Sequence, residues 1–194
     1  MEELAALLKN TRFPGRGKAG EEVGWVPITT LDLPSGKLWA GDPGFSWAEL
    51  RSNDGLRVTF EPGAYVVSAF VMAFGKWHVV ARLRVCRKGV KDPKVGATVG
   101  ETGTDSGAIG VGDAKAVWKA FQSKYGEDDD KPVLFLERFN FRRVGLLHPN
   151  GPSDAGIVYV NCGFGDGSGP VLALREGRKR VGVEFVFVQP DATT

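Results

Sequence analysis

Histidine and cysteine are both scarce in this 194-residue chain, with two of each: His78, His148, Cys86 and Cys162. Neither histidine has a second one at zinc-ligand spacing, which argues against a zinc hydrolase. The cysteines stand in separate extended segments with no C-x-x-C pair. That excludes a zinc finger and leaves too few for a disulfide scaffold, so both read as small buried apolar residues of a reducing compartment. Long hydrophobic runs are missing too: Ala64 to Phe74 is nearly all apolar but too short to span a bilayer. The acidic, amphipathic start after Met1 is no secretory signal. Nor is there an excess charge of one sign, since 25 Lys and Arg face 23 Asp and Glu for a net +2. No global field draws the molecule to nucleic acid or to an anionic membrane. The expectation is a cytoplasmic protein with neither as a partner.

Glycine is abundant. Twenty-seven Gly with 11 Pro imply many tight turns and favour numerous short strands over long helices. Hydrophobic residues at 42% and charged residues at 25% are ordinary for a globular chain. Leu4, Leu7 and Leu8 at helical spacing predict a short helix over Glu2 to Lys9. Asn10 to Gly24 is basic and without a period; its Arg12, Arg16 and Lys18 lack the GK[ST] ending of a phosphate loop, so it reads as a solvated arm. The domain boundaries follow: residues 1–32 form an N-terminal helix and basic glycine-rich arm, and 33–194 a single β-rich domain. Two short extended pieces lie within Trp25 to Asp42, on either side of a turn at Pro34, Ser35 and Gly36.

Strands are predicted over Leu56 to Phe60, Ala64 to Phe74 and Trp77 to Val85, the last with Trp77, Val79, Ala81, Leu83 and Val85 on one face. Further strands are expected at Val133 to Phe139, Gly156 to Cys162, Val171 to Leu174 and Val181 to Val188. Asp113 is placed to cap the one long helix, with Val117, Ala120, Phe121 and Tyr125 on one face and Gly126 ending it. The acidic run Glu127 to Asp130 reads as a solvated loop. The alternation of strand and helix that a parallel sheet requires is missing. The expected fold is mainly β, an antiparallel sandwich or curled sheet, with one long helix after Asp113 and a short N-terminal helix.

Two stretches look like a site. Thr102 to Asp113 (TGTDSGAIGVGD) and Asn161 to Gly169 (NCGFGDGSG) each set an acid among glycines at the mouth of a regular element. Ser106 and Ser168 are not in G-x-S-x-G, so pairing Ser106 with His148 is a weak basis for a nucleophile, as is a buried Cys162. Asp42, Asp105, Asp113 and Asp166 stand beside glycine or proline, and on one rim they could hold a hard cation such as calcium or magnesium. Each acid also has a sufficient local role, since Asp42, Asp105 and Asp166 can fold turns and Asp113 can cap the helix. The five tryptophans read chiefly as core; on one exposed strip they would suit a carbohydrate.

Leu33-Pro-Ser-Gly-Lys-Leu-Trp-Ala-Gly-Asp42-Pro43, then Glu61-Pro-Gly-Ala-Tyr-Val-Val67, then His78-Val-Val-Ala-Arg-Leu-Arg-Val85 together resemble the first half of the bacterial domain-of-unknown-function family forty-two forty-one. Its D-A-G-T-G-C-F-M-D signature is similar to Asp105-Ser-Gly107-Ala-Ile-Gly-Val-Gly-Asp113, with the same spacing of the acids. Its G-W-G-D-G resembles Gly163-Phe-Gly165-Asp166-Gly167. The match runs in order from Leu33 to Val188; the aromatics that the family places after G-D-G are replaced by Ser168-Gly-Pro-Val-Leu-Ala. The resemblance implies no reaction. It implies an association with polymorphic toxins, some such domains acting as immunity partners. The expected function is therefore a non-enzymatic binding protein, an immunity or accessory protein for a partner such as a toxin, with no cofactor. Its candidate binding residues are Asp42, Asp105, Gly107, Asp113, Gly165, Asp166 and Gly167. The alternative is a metal-dependent hydrolase or a small-ligand binder, with calcium or magnesium on Asp42, Asp105 and Asp166.

Overall fold

The computed structural model describes residues 2–7, 20–43, 55–75, 77–125, 144–147, 156–163 and 167–188. Valine, isoleucine and aromatic residues in alternation give eleven strands there: β1 (Glu21–Leu33), β2 (Lys37–Gly41), β3 (Leu56–Thr59), β4 (Gly63–Phe74), β5 (Trp77–Arg87), β6 (Lys94–Thr104), β7 (Ala108–Asp113), β8 (Val144–Leu147), β9 (Ile157–Asn161), β10 (Gly167–Glu176) and β11 (Lys179–Val186). Two helices accompany them, α1 (Glu2–Leu7) and α2 (Ala114–Tyr125). The strands form two antiparallel sheets, a large one ordered β1-β4-β5-β11-β10-β6 and a small one ordered β3-β2-β7-β9-β8.

One core lies between the sheets. It takes Val26, Val67, Leu83, Val85, Val171, Val183 and Phe185 from the large sheet and Leu38, Ala40, Val58, Ile109, Val111, Val158 and Val160 from the small one. Leu4 of α1 is fully buried in the same cluster, a contribution of about 2 kcal/mol from one leucine.

Several expectations need correction. The helix after Asp113 exists but is short: α2 has twelve residues, about three turns. The segment Thr102 to Asp113, expected at the mouth of a regular element, is itself mostly strand: β6 ends in it and β7 fills its second half. Glycine lowers strand propensity, but at Gly112 it is required: a Cβ there would lie 2.7 Å from Val117 Cγ2, so the bare backbone lets α2 rest on the small sheet. Residues 21–32, grouped by composition with the N-terminal arm, pair with β4 from Glu21↔Ala73 onward, as part of a thirteen-residue strand. Gly24 and Pro27 are tolerated because β1 is an edge strand, with register shifts beside both. The expected strand at Val133 to Phe139 lies outside the described residues.

The face assignment of β5 also changes. A bulge opposite Phe70 sets Val79 and Ala81 on the outer side of the large sheet with Phe70 and Met72, while Leu83 and Val85 point into the core. Val181 likewise joins Cys86 and Leu174 on the outer side, away from Val183 and Phe185.

Charge appears on this outer side in one row. Arg84 Nη2 lies 2.6 Å and Arg82 Nη1 3.1 Å from the carboxylate of Glu184, which is fully buried. Arg84 reaches across the small Ser68 and stacks its guanidinium 4.0 Å from the ring centre of Trp25.

A second ionic group joins the rim of the large sheet. Glu61 pairs with Lys179 Nζ at 2.7 Å and with Arg87 Nη1, and these hydrogen bonds, from Lys179 first and Arg87 second, hold its carboxyl below the usual glutamate range. A depressed folded-state pKa stabilises the fold above the unfolded value of about 4.3, and that contribution is lost as pH falls through the folded value. Melting temperatures measured from about pH 6 to about pH 3 should fall less steeply for Glu61→Gln than for the parent chain, and the difference should shrink in high salt. Parallel curves for the two proteins would contradict this.

Candidate functional site

The two glycine-rich stretches do meet. At the end of β6 the chain leaves the large sheet, turns through Asp105, Ser106 and Gly107, and enters the small sheet as β7. Gly107 makes the corner possible with φ of 72°, a left-handed conformation that costs a side-chain-bearing residue about 1–2 kcal/mol. Thr104 pairs with Gly167 at the start of β10, and the Gly107 carbonyl accepts from Cys162 N–H at 3.0 Å. Strands from both stretches are thereby fixed around one turn.

Asp42, 1% exposed, holds that turn from beneath. Its Oδ2 accepts three hydrogen bonds, each 2.8 Å long, from Thr104 Oγ1 and from the backbone N–H groups of Asp105 and Ser106. Its Oδ1 accepts from Ser106 Oγ at 2.5 Å. Thr104 Oγ1 in turn accepts from Ala108 N–H at 3.0 Å. The Asp-Pro that closes β2 thus supplies a carboxylate to a bend more than sixty residues further along. Asp105 takes part through its backbone, and its side chain is exposed.

Asp113 belongs elsewhere. It pairs with Leu38 at one end of β2, whereas Asp42 follows Gly41 at the other end, so about four residues of strand, ~13 Å, separate the two acids. Asp113 Oδ1 accepts from the N–H groups of Lys115 and Ala116 at 3.1 and 3.0 Å, as the cap of α2. Its Oδ2 accepts from Ser35 N–H at 2.9 Å and Ser35 Oγ at 2.7 Å, which fastens the β1–β2 turn to the helix. The rim of four converging acids is thus divided: Asp42, Asp105, Gly107 and Gly167 share the corner, Asp113 stands apart, and Gly165 and Asp166 lie outside the described residues.

This geometry suits a scaffold better than a cation. The oxygens of Asp42 face N–H and O–H donors, whose positive ends would repel a metal ion. Ser106 Oγ donates to the Asp42 carboxylate, and His148, its candidate partner, lies outside the described residues. Cys162 is buried, and burial pushes the Cys86 thiol above its usual pKa, toward the unreactive protonated form.

Sequence reasoning missed the partners that hold these acids, Ser35 for Asp113 and Thr104 with Ser106 for Asp42. The pairs are 62 to 78 positions apart, and no local pattern announces them. It also missed Glu184, whose only signal was an acid inside the otherwise apolar run Val181 to Val188.

No protein-family model, no curated protein and no solved structure matches the chain. Among the described residues, no helix is long and apolar enough to cross a membrane.

Proposed function

We propose that the chain is a cytoplasmic binding protein without a reaction of its own, an immunity or accessory protein that occludes a partner protein such as a toxin. The observation that carries this reading is the corner. A buried carboxylate fixes the backbone of Asp105 and Ser106 and the Ser106 hydroxyl while the Asp105 side chain stays exposed, so the turn is presented in one conformation before any partner arrives. A surface arranged in advance loses little conformational entropy on binding. The carboxylates best placed for chemistry, Asp42 and Asp113, spend their lone pairs within the fold. The resemblance to family forty-two forty-one supports the same reading through its association with toxins.

Tagged protein expressed in the native host should retain a stable partner, and co-expression with the product of a neighbouring gene should relieve that product's toxicity. Asp105→Lys should weaken the complex about tenfold or more while shifting the melting temperature little, since the residue is exposed. No partner and no relief of toxicity would end this reading.

A further inference from the structure

The small sheet carries a second surface at the other end of β7. Its floor is the start of β2, one wall is β3, and the other is the first two turns of α2, enclosing a groove of roughly 1060 Å³. Four cations line it: Lys37 and Arg57 from the sheet, Lys115 and Lys119 from the helix, with Trp118 between the last two. All four are exposed, and none of them pairs with a carboxylate among the described residues. Trp118 is 38% exposed although it is a large aromatic residue. Asp113, the one acid among the described lining residues, is 2% exposed and turned onto Ser35 and the helix N–H groups.

Lys115 and Lys119 are four apart on a helix, a like-charge spacing that weakens the helix carrying it. Arg57 adds a third positive charge from the opposite wall. In a chain of net charge +2, this local excess is not part of a general basic surface. Groups that repel one another around a concave surface, beside an exposed indole, are arranged for an anionic occupant with an apolar element.

We propose that this groove binds an acidic peptide segment of a partner protein, its carboxylates meeting the four cations and an apolar or aromatic side chain packing on Trp118. A polypeptide is favoured over single-stranded nucleic acid because Trp118 is the one aromatic among the described lining residues, where successive bases would use several, and because the chain as a whole is close to charge balance at net +2. The groove lies a full strand length from the Asp105 corner, so the proposal does not depend on that corner's role.

The test is fluorescence polarisation of the full chain with a labelled peptide of about a dozen Glu and Asp residues around one Phe, at ~50 mM and ~300 mM salt. Saturable binding that weakens at the higher salt is expected. Lys115→Glu with Lys119→Glu should weaken it by about tenfold or more, and Lys37→Gln with Arg57→Gln, on the floor and the opposite wall, by a comparable factor. Circular dichroism of both double variants should match the parent, since all four side chains are exposed. No saturable binding by the full chain, or binding by both folded double variants equal to that of the parent, would overturn the proposal. Displacement of the peptide by a short oligothymidine that binds about tenfold more tightly would also overturn it, and would assign the groove to nucleic acid.

Discussion

Asp42→Ala should be among the most damaging single changes in the protein, lowering stability by about 3–5 kcal/mol. Three donors lose their acceptor at Oδ2 and one at Oδ1, in a place where water cannot readily replace it, because the residue is 1% exposed. For a chain of this size each kcal/mol corresponds to ~2–4 °C, so a fall of roughly 10–15 °C in melting temperature is expected. Asp42→Asn distinguishes hydrogen bonding from simple packing. Its carbonyl oxygen can occupy the Oδ2 position and keep three donors, while its amide N–H can donate to the Ser106 hydroxyl once that group rotates. The expected loss is then about 1–2 kcal/mol. Denaturant unfolding of the parent and both variants decides the matter. Equal losses for Ala and Asn would mean that the charge, not the acceptor geometry, holds the corner; no loss for Ala would refute the account of the corner altogether.

The second large effect belongs to Glu184. Removing one partner from a buried ion pair costs about 3–5 kcal/mol in general. Here the guanidinium side chains of Arg82 and Arg84 are 29% and 22% exposed and can recover some hydration, so Glu184→Gln should cost about 2–3 kcal/mol. The two arginines are not equivalent. Arg84 gives Glu184 two hydrogen bonds, from Nε at 3.0 Å and Nη2 at 2.6 Å, and also covers Trp25. Arg82 gives one bond at 3.1 Å, and its own buried Nε has no partner among the described residues. Arg84→Ala should therefore destabilise by about 2–3 kcal/mol and Arg82→Ala by about 1 kcal/mol. A double-mutant cycle between Arg84 and Glu184 should return a coupling larger than that between Arg82 and Glu184. The reverse order would show that the hydrogen-bond pattern described above does not govern the energetics.

Local chemistry made much of this molecule legible from the sequence. The apolar run Ala64 to Phe74, the alternation in Trp77 to Val85, and the apolar runs before Asn161 and after Val181 correspond to β4, β5, β9 and β11. Asp113 caps a helix, as its position before an amphipathic segment suggests. Legibility fails where the tertiary context supplies what the chain lacks. In β6, Lys94 to Thr104 contains three glycines and has weak strand propensity, yet it pairs along β10 and is held there. In β5, one inserted residue opposite Phe70 reverses the face of Val79 and Ala81, an event that periodicity alone cannot reveal. The carboxylate of Asp42 looked like a local turn former or a metal ligand; its role is long-range, since its partners are set by the crossing between sheets. The cationic groove combines residues from β2, β3 and α2 that no sequence window contains.

The buried acid of β11 has a consequence for strand alignment. Glu184 sits between Val183 and Phe185, which both face the core, and it pairs opposite Arg84 in β5. Were β11 to slide by one position against β5, its side chains would exchange faces, so that the carboxylate would enter the hydrocarbon between the sheets and Phe185 would lie beside the arginines. That arrangement carries an unpaired charge in an apolar interior and is excluded far more strongly than a slipped valine strand would be. The Arg82–Glu184–Arg84 row thus acts less as added strength than as a lock on which of two neighbouring alignments the large sheet can adopt.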